Sequence, residues 1–215
     1  MDGKLVDSLG YWDYLWRTFG EKFLNDPSFR PDPITEKGVR TVSLYDGMVL
    51  VHNNCNIGES GDALFTIAND LLVKFYKEIV PLKEGVAEFL DTLLAKGVKM
   101  CVASATASEL ITILMERFNL KKYFPIVFSC NDIGKGKEFP DVFIKAHEYL
   151  GTDKESTWIF EDSIVALQTA AAAGFKTVGI YDKYTFDVEK VKETSTVYID
   201  RGESVARLVD EIEMA

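Results

Sequence analysis

The segment Thr157-Trp158-Ile159-Phe160-Glu161-Asp162-Ser163 runs directly into Ile164-Val165-Ala166-Leu167-Gln168-Thr169-Ala170-Ala171-Ala172-Ala173-Gly174. A short apolar run rich in aromatic and β-branched residues reads as a buried strand. The alanine-rich stretch ending at Gly174 reads as a helix with its C-terminal cap. Glu161 and Asp162 therefore fall where a strand hands over to a helix. In open α/β sheets ligands bind beyond the carboxyl ends of the strands, so adjacent acids there are candidates to hold a hard cation such as Mg²⁺. Asp162 or Ser163 could equally cap the helix N-terminus. These residues alone leave both readings open.

The same strand-then-helix pattern recurs on either side. A helix is expected from about Glu84 to Lys96, stopped by Gly97 and followed by a strand over Val98–Ala103. A helix over Ser108–Phe118 follows, then a strand over Ile126–Phe128, a glycine-rich loop at Gly134–Lys137 and a helix over Pro140–Leu150. Strands at Thr177–Ile180 and Thr196–Ile199 and a helix from about Glu203 complete the series. Such alternation implies an α/β fold, a parallel sheet with helices on both faces. Ahead of Pro81 there is no strand pattern. Tyr11, Trp12, Tyr14, Leu15, Trp16, Phe19, Phe23 and Leu24 lie at helical spacing and read as helix core, and Asn25–Pro33 reads as a loop. Two further helices are expected, one near Thr35–Val51 and one over Gly61–Ile79, with a loop at His52–Gly58 between them. The expected organisation is 1–10 as the start of the α/β core, 11–80 as an all-helical domain and 81–215 as the rest of the core.

Composition narrows the function. Of 215 residues 47% are hydrophobic and 27% charged, ordinary values for a globular protein, and the net charge of −10 comes without any long basic run. A nucleic-acid partner is therefore not expected. Apolar runs stop well short of the roughly 18 residues of a membrane span, and the opening residues lack a leader pattern, so no membrane partner and a cytoplasmic location are expected. Cys55, Cys101 and Cys130 have neither disulfide nor zinc spacing and read as small hydrophobes; His52 and His147 stand alone and read as structural or surface residues.

Polar groups gather on one rim. The first strand of the core delivers Ser104-Ala105-Thr106, the second leads to Lys137, and the third delivers Glu161-Asp162. A hydroxyl, an ammonium and paired carboxylates on one edge suit a phosphoryl group and its metal: hydroxyls and backbone N–H groups donate to phosphate oxygens, Lys neutralises charge, and the acids hold Mg²⁺. Each residue separately also fits a turn, a cap or a solvated loop.

These residues resemble the four motifs of the haloacid dehalogenase superfamily, in the branch with a helical cap inserted after the first motif, similar to phosphoglycolate phosphatases and β-phosphoglucomutases. The first motif, Asp-x-Asp-Gly-Thr-Leu-Val-Asp-Ser, is matched by Met1-Asp2-Gly3-Lys4-Leu5-Val6-Asp7-Ser8 from its second residue onward. The second is matched by Cys101-Val102-Ala103-Ser104. The third, Gly-Lys-Pro-x-Pro-Asp-x-Phe, is matched by Gly136-Lys137-Glu138-Phe139-Pro140-Asp141-Val142-Phe143, and the fourth by Phe160-Glu161-Asp162-Ser163 with the helix to Gly174. The resemblance implies a Rossmann-like core plus an all-helical cap domain that closes over a small phosphorylated metabolite. It makes Asp2 the general acid/base, Ser104 and Lys137 the grip on the phosphoryl group, and Gly3, Ala105 and Thr106 substrate-binding residues. Asp162 with Glu161 become the Mg²⁺ ligands. An acid at Asp2 favours phosphate chemistry, because the superfamily's dehalogenases and phosphonatases lack one there. Lys37 and Arg40 are cations of the cap that could meet an anionic substrate or simply face solvent.

Three departures qualify the match. The superfamily's nucleophilic Asp falls one residue before Met1, and the strand expected to lead into it, at the middle of the sheet, falls there too. The expectation is a longer natural protein, an aspartyl-phosphate route in that longer chain, and a gap in the core without the strand. Lys4 replaces Thr, adding a cation beside the site, and Glu138 replaces Pro. The main expectation is a Mg²⁺-dependent phosphatase hydrolysing a small monoester. The alternatives are a sugar-phosphate mutase and a non-catalytic ligand-binding relative. A phosphorylation-receiver domain fits less well, because its acidic pair comes early and its Lys last. The substrate and oligomeric state are not written in the sequence.

Overall fold

The structure, a computed structural model, describes residues 1–182, 185 and 187–209. It divides into two compact units, one formed by Met1–Asp7 with the chain from Pro81 onward, the other by Ser8–Val80.

The Ser8–Val80 unit is helical. Helix α1 (Gly10–Phe19) buries Tyr11, Leu15, Trp16 and Phe19, and a π-turn over Gly20–Leu24 continues it to Asn25, which takes the left-handed conformation that asparagine tolerates. Leu24, expected in the core, is exposed because it lies at that turn. Where one helix is expected near Thr35–Val51 there are two, α2 (Pro33–Val39) and α3 (Leu44–Cys55). The break has a local cause. Ser43 accepts a hydrogen bond from the Asp46 amide and starts α3 afresh, while Pro33 behind the capping Asp32 starts α2. Residues 52–55, expected as loop, continue α3 until Asn56 ends it with φ 53°. Helix α4 (Gly61–Lys74) is capped by Ser60 and runs into a π-turn over Phe75–Ile79. The Tyr11 hydroxyl donates to the Ala68 carbonyl at 2.7 Å, tying α1 to α4.

The other unit is the α/β core. In order it holds α5 (Val86–Ala95), β1 (Val102–Ser104), α6 (Ser108–Arg117), β2 (Val127–Ser129), α7 (Cys130–Ile133), α8 (Asp141–Leu150), β3 (Trp158–Glu161), α9 (Ile164–Ala172), β4 (Lys176–Ile180), α10 (Val188–Thr194) and β5 (Val197–Ile199). All strand pairings between these elements are parallel. Helix α8 packs against β1 and β2, and α9 against β3 and β4. Gly174, with φ 87°, turns the chain out of α9 as a left-handed C-terminal residue does. Of the helix expected from about Glu203, the described residues show a 3₁₀ turn over Val205–Arg207 followed by helical Leu208 and Val209; the remainder of that expectation lies outside the described residues.

The sheet is in two parts, β1-β2 and β3-β4-β5, with the gap expected between the strands that lead to Ser104 and Asp162. No ladder joins β1 to β3, and the strand expected at Val98–Ala103 begins only at Val102. A cavity of about 450 Å³ is lined by Val102 and Ala103 from one part and by Ile159 and Phe160 from the other, with Met1 and Phe143. Apolar residues from both parts still share one core, in which Phe143, Ala166, Ala170 and Phe175 meet Ala103, Phe128 and Ile159. Packing, not backbone pairing, holds the halves of the sheet together. Cys130 is buried as expected, whereas Cys55 and Cys101 are only half-buried, and all three are free thiols. His52 binds the Ile57 carbonyl at 2.9 Å and His147 lies 3.3 Å from the Thr157 hydroxyl, structural roles in both cases.

Candidate active site

The first seven residues fold back on themselves. The amides of Lys4 and Leu5 donate to the Met1 carbonyl at 3.2 and 2.8 Å, and Gly3 N–H donates to the Val6 carbonyl at 3.1 Å. Lys83 and Asp7 amides donate to Leu5 and Pro81 carbonyls and fasten this turn to the chain after Pro81. Gly3 sits at φ 71°, and a Cβ there would stand 1.9 Å from Asp162 Oδ2. Only glycine lets the turn and the carboxylate lie this close.

Two polar clusters result. In the first, Thr106 donates its hydroxyl hydrogen bond to Asp2, and the Ser104 hydroxyl donates to Thr106 Oγ1 at 3.0 Å while accepting from the Thr106 amide at 3.2 Å. Ser104 is buried at the end of β1, and the bend after it brings Thr106 back over the strand end. In the second, the Lys4 ammonium lies 3.0 Å from Glu161 Oε2 and 2.8 Å from Asp162 Oδ1, and Lys137 grips the other Glu161 oxygen. Glu161 ends β3 at 2% exposure and Lys4 is 8% exposed. Burial by itself would raise the Glu161 pKa, but Lys4 and Lys137 outweigh it and hold the carboxyl well below its usual range. Burial pushes the Lys4 ammonium the other way; Glu161 and Asp162 prevail and keep it protonated above its ordinary value.

The structure thus links Asp2, Ser104 and Thr106 in one chain of hydrogen bonds, and Lys137, Glu161 and Asp162 in another, with Gly3 packed on Asp162. Ala105 is exposed on the bend and Glu138 on its loop. The capping alternative for Ser163 does not hold: it sits at the N-terminus of α9 but its side chain makes no cap bond, and Asp162 is engaged by Lys4. Arg40, in the helical unit, pairs with Glu36 at 2.6 Å and lies over the Trp12 ring. The residue that the sequence undervalued is Lys4. The sequence marked it as a cation added beside the site in place of Thr, without its partners. Among the described residues no group of three or more His, Cys, Asp or Glu side chains is placed to hold a metal ion.

The sequence model of haloacid dehalogenase-like hydrolases matches residues 40–180. The chain belongs to this family. A phosphatase of phosphorylated carbohydrates from Thermotoga maritima is 22% identical over 99% of the chain and 96% of its own length. Phosphoglycolate phosphatase from Escherichia coli is 28% identical over 56% of the chain, which spans about half, 49%, of that enzyme. Among solved structures, a haloacid dehalogenase family hydrolase from Deinococcus radiodurans, with bound phosphate and sodium, superposes with TM-score 0.76 at 20% identity, covering 100% of this chain and 94% of that one. CbbY from Rhodobacter sphaeroides in complex with phosphate superposes with TM-score 0.72 at 17% identity over 97% and 93%. The chain is a hydrolase of this superfamily with phosphatases among its relatives, and its fold is theirs. No helix among the described residues is long and apolar enough to cross a membrane.

Proposed function

We propose that this hydrolase cleaves a small phosphate monoester, with the reacting phosphoryl group held between the two polar clusters. The observation that carries the reading is the Ser104–Thr106–Asp2 chain of hydrogen bonds beside Lys137 and the acidic pair. The Lys137 ammonium neutralises phosphoryl charge, and the Ser104 and Thr106 hydroxyls donate to phosphoryl oxygens after turning from Thr106 and Asp2. Asp2 gives its proton to the departing oxygen and then takes one from the attacking water. Ala105 and Gly3 contribute the unobstructed backbone of the two turns, and the Ser8–Val80 unit acts as the cap that selects the substrate and excludes water.

Glu161 and Asp162 are hard oxygen donors suited to Mg²⁺, and the cation lodged against both, the Lys4 ammonium, supports the spot as one that takes positive charge. When bound, Mg²⁺ would offset phosphoryl charge. An aspartyl-phosphate route needs a nucleophilic carboxylate besides Asp2. The assay therefore covers the chain as given and a chain extended at its N-terminus by an apolar segment ending in Asp. Phosphate release from sugar phosphates, phosphoglycolate and p-nitrophenyl phosphate, lost in Asp2→Asn, is the expected result. No release from either form across the panel refutes the reading and favours a ligand-binding relative; transfer within a sugar bisphosphate without release identifies a mutase.

A further inference from the structure

Lys4 stands where a divalent cation would have to stand. Its ammonium is 3.0 Å from Glu161 Oε2 and 2.8 Å from Asp162 Oδ1, charge-assisted hydrogen-bond distances to both acids. The remaining Glu161 oxygen is taken by Lys137. Two carboxylates thus face two ammoniums, and the pair is neutralised from within the chain. Mg²⁺ binds oxygen at about 2.1 Å and demands near-octahedral surroundings. An ion at that distance from the oxygens that Lys4 touches would lie against the ammonium, with like charges in contact at a site from which water is largely excluded. Metal and Lys4 cannot share Glu161 Oε2 and Asp162 Oδ1.

We propose that Lys4 is a tethered cation that competes with a divalent metal for Glu161 and Asp162, so that metal enters only when the ammonium leaves. The ammonium emerges from a turn pinned by backbone hydrogen bonds at Met1 and Val6, and the side chain is almost wholly buried. Leaving means giving up two charge-assisted hydrogen bonds. Losing even one corresponds to about a tenfold change in binding, so the unaltered chain binds divalent metal at least about tenfold more weakly than a chain without the ammonium. Lys4 is a positioning residue here, acting on the metal through the acidic pair.

The inference rests on the acidic pair being the metal site of the proposed hydrolase, and the test separates the two. Mn²⁺ affinity is measured by calorimetry, without substrate, for the unaltered chain, Lys4→Met, Lys4→Arg and Lys4→Met with Asp162→Asn. Tighter binding in Lys4→Met, none of that gain in Lys4→Arg, and its disappearance with Asp162→Asn is the expected pattern. Equal affinity in the unaltered chain and Lys4→Met, abolished by Asp162→Asn, overturns the competition while leaving the metal site standing. Insensitivity to Asp162→Asn overturns both. If Lys4→Met does not fold, the unaltered chain still decides: reductive methylation read by mass spectrometry should spare Lys4 without metal and label it with Mg²⁺ present. Labelling of Lys4 that saturating Mg²⁺ leaves unchanged sinks the proposal.

Discussion

Replacing Glu161 by glutamine keeps the volume at the end of β3 and removes the charge that two buried ammoniums share. The Lys4–Glu161 pair, at 3.0 Å, is worth roughly 5 kcal/mol of attraction at an effective dielectric near 20, most of it offset by the desolvation of both partners. After the substitution the attraction is gone while the desolvation cost of the ammoniums stays: Lys137 loses its carboxylate and Lys4 keeps only Asp162, and both remain largely buried. Breaking a buried pair from one side costs about 3–5 kcal/mol. For a chain of this size that is a fall in melting temperature of roughly 6–20 °C. Urea titration followed by circular dichroism gives the free energy, and a double-mutant cycle with Lys4→Met gives the coupling. Removing both charges should cost less than the two single losses added, by about 1.5–3 kcal/mol. A loss below about 1 kcal/mol for Glu161→Gln, or additivity within about 0.5 kcal/mol, would refute the reasoning.

Other expectations follow from the same geometry. Gly3→Ala forces a Cβ against Asp162 Oδ2 and strains a residue at φ 71°, so it should destabilise by more than about 1 kcal/mol and expose Lys4 to amine labelling; an unchanged melting curve would count against the close contact. Asp2→Asn should lower kcat by about 10²–10⁴ with little change in KM, read from initial rates. Thr106→Val removes the hydroxyl that joins Ser104 to Asp2 and should shift the pH profile of kcat/KM, whereas a purely structural threonine would leave that profile in place. Stability should depend on pH with a definite sign. The Glu161 pKa lies below its unfolded value of about 4.5, so its contribution is complete above that pH and is lost as the pH falls beneath it. Lys4 is shifted upward, so its contribution is present below about 10.5 and is lost only in stronger alkali. Acid unfolding of the unaltered chain should therefore be steeper than that of Glu161→Gln.

Several features were legible along the chain because their causes are local. The apolar run at Trp158–Phe160, the alanine-rich segment behind it and Gly174 with its positive φ made a strand, a helix and a stop within eighteen residues of sequence. Ser104, Lys137 and Glu161-Asp162 stood out because each follows a strand, whereas Asp2 stood out only through the family resemblance of the first motif. Ser43 was also a local signal, a cap three residues ahead of Asp46, and reading through it merged α2 with α3. Tertiary structure decided what sequence spacing cannot carry. Lys4 meets Glu161 across 157 positions of chain, and nothing in the neighbourhood of either residue names the other. The division of the sheet, by contrast, is the gap the sequence led one to expect in the middle of the sheet, and the structure adds that a cavity is lined by residues of both β1 and β3. Periodicity tells each segment which face to bury; only the folded chain determines which charges must then neutralise one another.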